Sequence, residues 1–279
     1  MSKGLWPAVS GSIAQGERLD VIANNLANVD TAGFKKDRVA FQQVLSSAAT
    51  AAQKEEIPRK LYTEKDMHKL DGRDAAYVVL SGTHTDHAQG RVKVTNSPLD
   101  VALEGNGMLE VLGPGGARYT RQGSLKLLQD GTLVTMEGYP VLSRGGNDAA
   151  ATGPVPREEL AARAIRLDPN RTAPVVITTN GRIFQGREQV AELSVVEFAD
   201  ARLLEKEGTS LFRNILGANI VQDAPKTVVR QGMLETSNVN AVAEMTELLK
   251  ATRIFENNQK IVKTYGELEG RAVNDIGKL

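Results

Sequence analysis

Residues 5–34 read LWPAVSGSIAQGERLDVIANNLANVDTAGF, and this run indicates how the chain is built. Apolar side chains recur every three or four residues from Leu5 to Leu26, which predicts an amphipathic helix that starts between Gly4 and Pro7. Asn, Asp and Thr then crowd together before Gly33, and such side chains hydrogen-bond the local backbone and favour turns. The run therefore predicts a helix that leads into a structured turn, after which Phe34 returns to an apolar contact.

The last forty residues repeat this arrangement in the opposite order. The sequence Ser237-Asn238-Val239-Asn240 is a cluster of helix-capping residues, with Asn240 as the candidate N-cap. The apolar positions that follow have the heptad spacing of helices that pack on other helices; they are Ala241, Met245, Leu248, Thr252, Phe255, Gln259 and Val262. Because no Pro or Gly occurs before Gly266, we expect a helix of roughly 25 to 35 residues.

Two arrangements of these apolar stripes remain open. The two helices could form a hairpin within one molecule, or they could pack on neighbouring copies. A stripe that spreads over about a third of a helix surface stays partly in water when a single helix covers it. The breadth of both stripes favours burial against more than one neighbour, either the middle of the chain or other subunits.

The middle of the chain changes to the two-residue period of β-strands, from Tyr77 to about Leu234. Asp130-Gly131 and Asn180-Gly181 each separate two strand-like runs and predict tight hairpins. The predicted fold class is α+β, with a helix at each end and a central antiparallel β-rich domain. We expect residues 1–45 and 235–279 to form a helical domain, 77–234 the β-rich domain, and 46–76 a charged connector.

Composition excludes several classes of protein. Lys and Arg number 34, and Asp and Glu also number 34, which argues against a nucleic-acid-binding protein with a large basic face. The chain has no Cys, so disulfide scaffolds and Cys-ligated metal sites are excluded. It has no apolar run of about 18 residues, so we expect no membrane span. Ser, Gly and Gln interrupt the N-terminal segment, so we also expect no cleaved signal peptide.

Catalytic and cofactor motifs are also missing from the sequence. His84 and His87 lie three residues apart without the further ligands that a zinc site needs. The segment Gly105-Asn106-Gly107 lacks the third Gly of a dinucleotide-binding loop and reads as a turn. We therefore predict no enzyme activity, no catalytic residue, no cofactor, no metal site and no small-molecule substrate. An enzyme of another type is the weakest alternative.

The two terminal segments resemble the signatures of the bacterial flagellar axial proteins, which form the rod, the hook and the hook junction. The N-terminal resemblance covers Ile22–Lys35, and the C-terminal resemblance covers Gly232–Asn240 together with Glu244-Met245 and Arg253–Glu256. The middle resembles the rod and hook members in short motifs, which are Leu99–Ala102, Gly105–Gly107, Tyr119–Gly123, Asp130–Val134 and Gly138–Leu142. Hook subunits are usually much longer, so the resemblance favours a rod subunit.

The resemblance implies a structural subunit whose terminal helices form a coiled-coil core, with the β domain outside it. It implies that the subunit assembles with copies of itself and other rod proteins, and that the flagellar type III apparatus exports it to the rod, which crosses the periplasm. The positions that it marks for assembly are Asn24, Asn25, Leu26, Asn28, Thr31, Gly33, Phe34, Glu235, Ser237, Asn238 and Val239. The heptad pattern adds Met245, Leu248, Phe255 and Val262 as predicted seam residues.

Two further alternatives remain open. The segments Phe34–Arg38 and Phe255–Lys260 favour a subunit of the proximal rod, with a distal-rod subunit as the other candidate. A β-domain binding module whose terminal helices pack only on each other is the alternative from outside the family.

Overall fold

The computed structural model describes residues 5–45, 76–145, 156–169, 171, 173–215, 219–221 and 226–276. The predicted connector lies outside the described residues apart from Ala76. In the part of the chain that is described, no helix is both long enough and apolar enough to cross a membrane.

The described helices are α1 (Leu5–Ala27), α2 (Arg157–Ala162) and α3 (Ala241–Ile276). The first helix includes Pro7 in its first turn, where the missing N–H of proline has no helical partner to lose. The last helix has 36 residues, and Gly266 and Gly270 lie within it without ending it. A glycine in a helix interior costs only about 1 kcal/mol, so two glycines do not stop a long helix.

Strands make up about half of the remaining described chain. The strands are β1 (Asp37–Leu45), β2 (Ala76–Thr85), β3 (Val92–Val94), β4 (Val101–Glu104), β5 (Met108–Gly113), β6 (Gly116–Thr120), β7 (Leu125–Leu127), β8 (Leu133–Thr135), β9 (Val175–Ile177), β10 (Arg182–Gln185), β11 (Glu188–Glu192), β12 (Val195–Phe198), β13 (Leu204–Glu207), β14 (Leu211–Asn214), β15 (Ile220–Val221), β16 (Val228–Gln231) and β17 (Met233–Glu235). Terminal helices around a strand-rich middle confirm the predicted α+β class.

The chain forms two compact units. The helical unit contains Met1–Leu26, Asp37–His84 and Ala241–Leu279, and the β unit contains Ala27–Lys36 and Thr85–Asn240. The polar turn that follows α1 therefore belongs to the β unit. The finer division into four domains, with residues 1–45 in one of them, stays a prediction.

The β unit is built from small antiparallel sheets. Its largest sheet has the strand order β13-β14-β6-β5-β12-β15, and a three-stranded sheet has the order β11-β10-β9. The pairs β16-β4, β17-β3 and β7-β8 complete it. Both predicted hairpins are confirmed, because β7 pairs with β8 around Asp130-Gly131 and β9 pairs with β10 around Asn180-Gly181.

Strand β5 separates two apolar clusters of the β unit. Leu109 and Val111 join the larger cluster, which also includes buried side chains of β4, β8 and β10. Met108 belongs to a second cluster with Tyr119 and Phe212. Successive residues of a strand point to opposite faces, so a strand that is buried on both sides divides its side chains between two clusters.

In the helical unit, the contacts between α1 and α3 show that the two helices are antiparallel. Arg18 Nη2 lies 2.7 Å from Glu247 Oε2. A Cβ placed on Gly16 would lie 4.0 Å from the Phe255 ring, and one on Gly11 would lie 3.2 Å from Asn258 Nδ2. A side chain at Gly11 would displace the Asn258 amide, whereas one at Gly16 would only reach van der Waals contact with the Phe255 ring.

Candidate functional site

Segments next to the two terminal helices meet within the β unit. We use the term "junction" for residues 33–36, 86–90, Arg121 and residues 235–238. The turn after α1 supplies the first group, and the end of β17 with the capping segment before α3 supplies the last. Residues 35 and 235 are 200 positions apart in sequence, and their side chains are in contact. The junction thus joins the end of the first signature segment to part of the second through direct contacts.

A buried carboxylate lies at the centre of the junction. Glu235 Oε1 lies 2.6 Å from Lys35 Nζ, and Glu235 Oε2 lies 3.1 Å from Arg121 Nη1. The side chains of Lys35 and Glu235 are each 1% exposed, and that of Arg121 is 3% exposed. The N–H of Gly90 also donates to Glu235 Oε1 at 2.8 Å. A charge is tolerated in such a dry site only when it is paired and hydrogen-bonded, and Glu235 satisfies both conditions.

Backbone carbonyls provide the remaining partners of the two cations. Lys35 Nζ donates to the Ala88 carbonyl at 2.8 Å. Arg121 donates to the carbonyls of Leu103 and Gly105. Burial lowers the pKa of Lys35 and the pKa of Arg121, and the Glu235 carboxylate opposes both shifts through its charge and its hydrogen bonds. The carboxylate therefore favours the charged form of both side chains inside the protein.

Asn238 holds the turn by side-chain hydrogen bonds to three backbone groups. Its Oδ1 accepts from the N–H of Lys36 at 2.8 Å. Its Nδ2 donates to the carbonyls of Asp86 at 2.8 Å and of Ala88 at 3.1 Å. The N–H of Gly33 donates to the Glu235 carbonyl at 2.8 Å. These bonds fix the path of the backbone on both sides of the ion pairs.

Gly33 occupies a position that only glycine fits. Its φ is +70°, in the left-handed region. A Cβ there would lie 2.4 Å from the carbonyl carbon of Arg121, which is far inside van der Waals contact. The turn therefore lies directly against the backbone at Arg121.

Phe34 is almost completely buried beside Lys206. Lys206 Nζ lies 3.9 Å from the centre of the Phe34 ring and donates to the Lys35 carbonyl at 2.8 Å. A cation over an aromatic face adds electrostatic attraction to the apolar burial. The apolar contact expected for Phe34 is present, and a lysine of β13 covers it.

Other predicted residues order the chain close to the helix ends. In the helical unit, Asn25 is buried, and its amide donates to the Asp37 carbonyl at 2.9 Å and accepts from the Asp37 N–H at 3.0 Å. In the β unit, Thr31 Oγ1 lies 3.2 Å from Asn28 Oδ1, and Ser237 Oγ accepts from the N–H of the buried Val239 at 3.2 Å. Asn24 is exposed, and Leu26 is half-buried.

The predicted seam residues of α3 are placed differently from one another. Leu248, Phe255 and Val262 are half-buried, whereas Met245 is 51% exposed. The most buried positions of this helix are Glu244 and Ala251. The buried face of α3 is therefore rotated toward Ala251 from the predicted seam, and the role of all four residues in assembly stays a prediction.

The sequence interpretation did not assign a role to Lys35 or Arg121. Both lie inside motifs that resemble the flagellar axial proteins, Ile22–Lys35 and Tyr119–Gly123. The position of Lys35 directly after Gly33-Phe34 is a local sequence feature that marks it, whereas no comparable feature marks Arg121. Among the described residues, no group of three His, Asp or Glu side chains could hold a metal ion. The chemistry of the junction is that of a closed set of structural contacts.

Models of flagellar protein families match three parts of the chain. Residues 7–35 match the flagella basal body rod protein family, residues 102–185 the D1 domain of the flagellar hook proteins FlgE/F/G, and residues 230–275 the C-terminal region of the basal body rod proteins FlgEFG. The first and last matches include Lys35, Glu235 and Asn238 of the junction.

Curated relatives extend the similarity over the full length. The chain is 30% identical to the flagellar basal-body rod protein FlgF of Caulobacter vibrioides over 100% of both chains. It is 32% identical to the rod protein FlgG of Borreliella burgdorferi over 98% of both chains, and 32% identical to FlgG of Bacillus subtilis over 98% of this chain and 99% of the relative. The chain therefore belongs to the flagellar basal-body rod protein family, whose members are structural subunits of the rod and not enzymes.

Proposed function

We propose that this chain is an FlgF-type subunit of the proximal rod, which polymerises through its terminal helices into the axial drive shaft of the flagellum. Membership of the rod family and the full-length similarity to FlgF of Caulobacter vibrioides support this assignment. The segments Phe34–Arg38 and Phe255–Lys260 favour the same subtype. The partners would be copies of this chain and other rod proteins, and the flagellar type III export apparatus would deliver the subunit.

The exposed apolar surface of α3 is the observation that supports polymerisation through the helices. Large apolar side chains remain well exposed on two sides of this helix; they are Val242, Met245, Leu249, Ile254, Ile261, Leu268 and Val273. Water disfavours such a surface by roughly 25 cal/mol for each Å² of apolar area. In a coiled-coil core, helices of neighbouring subunits would cover these side chains, which is the arrangement we propose for the rod.

The junction supports a mechanical role for the β unit. Lys35, Arg121 and Glu235 join the turn after α1, the segment directly after β6 and the end of β17 through buried contacts. A rod subunit transmits torque, so the segments next to its helices must not slip within the β unit. Buried ion pairs resist such movement, because separating one leaves an uncompensated charge in a dry site.

The position of the subunit along the rod tests the subtype. A strain that lacks its own copy of the gene would be complemented with this chain carrying a small density tag, and isolated basal bodies would be imaged. We expect the tag at the end of the rod nearest the cytoplasm. A tag at the end nearest the hook would instead identify a distal-rod subunit, which the similarity to FlgG makes the second candidate. Motile cells with no tag in the rod would overturn both assignments.

A further inference from the structure

The last segment of the β unit pairs with its first strands. Strand β16 is antiparallel to β4, with Val229 opposite Leu103, and β17 is antiparallel to β3. Within the described chain, each of these pairs is a separate two-stranded sheet, so β3 and β4 have no other strand partner. The ion pair of Arg230 with Glu104 joins β16 to β4 across 126 positions of sequence. We call residues 226–238 the closing segment.

Two side chains of the closing segment extend its contacts to other sheets. The Gln231 amide accepts from the Ile177 N–H at 3.0 Å and donates to the carbonyl at the start of β9 at 2.8 Å. Thr227 Oγ1 accepts from the Gly107 N–H at 2.8 Å and donates to Glu197 Oε1 at 2.6 Å. The closing segment therefore also binds β9, β12 and the turn before β5.

The closing segment contributes to the interior of the β unit through Val229. This side chain is 2% exposed and belongs to the larger apolar cluster. Its N–H donates to the Thr179 carbonyl at 3.0 Å, and the Gly232 N–H donates to the Asp100 carbonyl at 2.8 Å. A β unit without the closing segment would have a void in its cluster and would lose these backbone hydrogen bonds.

The closing segment also supplies the charge that the junction needs. Glu235 lies within it and neutralises Lys35 and Arg121, whose side chains are 1% and 3% exposed. Asn238, at its end, holds the turn after α1 by its hydrogen bond to the Lys36 N–H. Before the closing segment docks, a native-like β unit would contain two buried cations without this carboxylate, which is strongly unfavourable.

We propose that docking of the closing segment controls the folding of the β unit. The earlier strands gain stable structure only in the step in which residues 226–238 bind them. A domain has a small net stability, and the void, the lost hydrogen bonds and the two buried charges together exceed it. Docking is also the slow step, because segments so far apart in sequence meet only after a long loop has closed. This inference concerns folding of the single chain and goes beyond the proposed rod function.

Folding and unfolding rates of two matched variants test the order of events. Val229→Ala and Val141→Ala each remove two carbon atoms from the same apolar cluster, the first inside the closing segment and the second outside it. Both full-length chains would be purified and followed by stopped-flow over a range of urea concentrations. We expect Val229→Ala to refold about tenfold more slowly and to unfold at nearly the natural rate, because its contacts are present in the transition state.

The control variant should behave in the opposite way. Packing around Val141 is completed after the closing segment has docked, so Val141→Ala should mainly unfold faster. If Val229→Ala refolds at the natural rate and only unfolds faster, docking follows the barrier and the proposal is wrong. Equal slowing of refolding in both variants would show that the whole cluster forms in one step, without a controlling role for the closing segment, and would also overturn it.

Pulse-labelling hydrogen exchange during refolding of the natural chain gives a second readout. The amides of Val229 and Gly232 report docking, because both donate to carbonyls of earlier segments. The amides shared between β5 and β6 report formation of the largest sheet. We expect both sets to become protected at the same rate. Protection of β5 and β6 before Val229 and Gly232 would reveal a sheet that is stable without the closing segment, which contradicts the proposal.

Both experiments are independent of rod assembly. They use the purified chain, so a negative result leaves the rod assignment standing. A tag that is missing from the rod in imaged basal bodies would overturn the rod assignment and leave the role of the closing segment unchanged.

Discussion

At the scale of single residues, Glu235 is the side chain on which the junction depends most. It faces Lys35 and Arg121 in a site that excludes water. Glu235→Gln keeps the shape and removes the charge, which leaves two buried cations facing a neutral amide. We expect a loss of about 3–5 kcal/mol in the unfolding free energy of the β unit, measured by urea denaturation of the purified chain.

A matched substitution shows whether burial of the Glu235 carboxylate causes the expected loss of stability. Glu104→Gln removes the same charge from an ion pair with Arg230 at 3.0 Å whose two side chains are both about half exposed. Exposed pairs contribute only about 0–1 kcal/mol, so this variant should unfold almost like the natural chain. Equal losses in the two variants would contradict the role assigned to the buried carboxylate.

Gly33→Ala tests the contact between the turn and the strand end at Arg121. The added methyl group meets backbone atoms at 2.4–2.5 Å, and the left-handed φ is itself unfavourable for alanine. We expect a loss above about 2 kcal/mol in unfolding free energy. Gly138→Ala is the control, since Gly138 also has a positive φ but has open space around it. It should show only the strain of about 1–2 kcal/mol, and a similar loss in both variants would mean that the close contact adds nothing.

Part of the junction was predictable from the sequence, and part of it was not. Gly33 and Asn238 are turn and cap residues, and local backbone chemistry points to both. The pairing of Lys35 with Glu235 is not local, because a single sequence carries no information on which charges meet across the fold. Arg121 is a sharper example, since nothing in its neighbourhood in the sequence distinguishes it from Arg144, whose side chain is 59% exposed.

At the scale of elements, the contact between α1 and α3 depends on small residues. Ala251 is fully buried on the face of α3 that includes Phe255. Ala251→Leu adds three carbon atoms to a packed surface, and such overpacking costs about 1–3 kcal/mol. We expect the helices to melt at a lower temperature, as measured by far-ultraviolet circular dichroism. Ala243→Leu, at an exposed position of the same helix, should leave the melting temperature unchanged. If both variants lowered the melting temperature equally, the buried face of α3 would not be the one that contains Ala251.

Leu248→Asp tests the assembly role predicted for the α3 seam. The substitution places a charge on a half-buried position of α3, and a charge there opposes burial against a neighbouring helix. The β unit should unfold at the same urea concentration as in the natural chain, while rod assembly and swimming are lost. Thr264→Asp, on an exposed position of the same helix, should leave cells motile. Normal swimming of the Leu248→Asp strain would contradict the seam assignment.

The elements themselves were largely predictable, but the rotation of α3 was not. Both helices and both Gly-containing hairpins follow from periodicity and turn chemistry. The apolar stripe of α3 is so wide that several helix faces fit it almost equally well. Packing against Gly11 and Gly16 selects the face with Ala251 and Phe255, and that choice depends on the partner helix rather than on α3.

At the scale of the whole molecule, the two units should differ in stability before assembly. The β unit has buried apolar clusters, whereas α3 keeps many large apolar side chains exposed. In hydrogen exchange on the free subunit, we expect the amides of β5, β6 and the junction to exchange much more slowly than those of α1 and α3. Incorporation into rods should then protect the helices. Equal protection of helices and strands in the free subunit would favour the self-contained binding module.

The pairing of residue 35 with residue 235 also determines when the junction can form during synthesis of the chain. A ribosome makes the amino end first, so Lys35 emerges 200 positions before the carboxylate that neutralises it. Until Glu235 has been synthesised, the buried ion pairs that hold the turn after α1 cannot form. The junction therefore forms only when nearly the whole β unit has been synthesised.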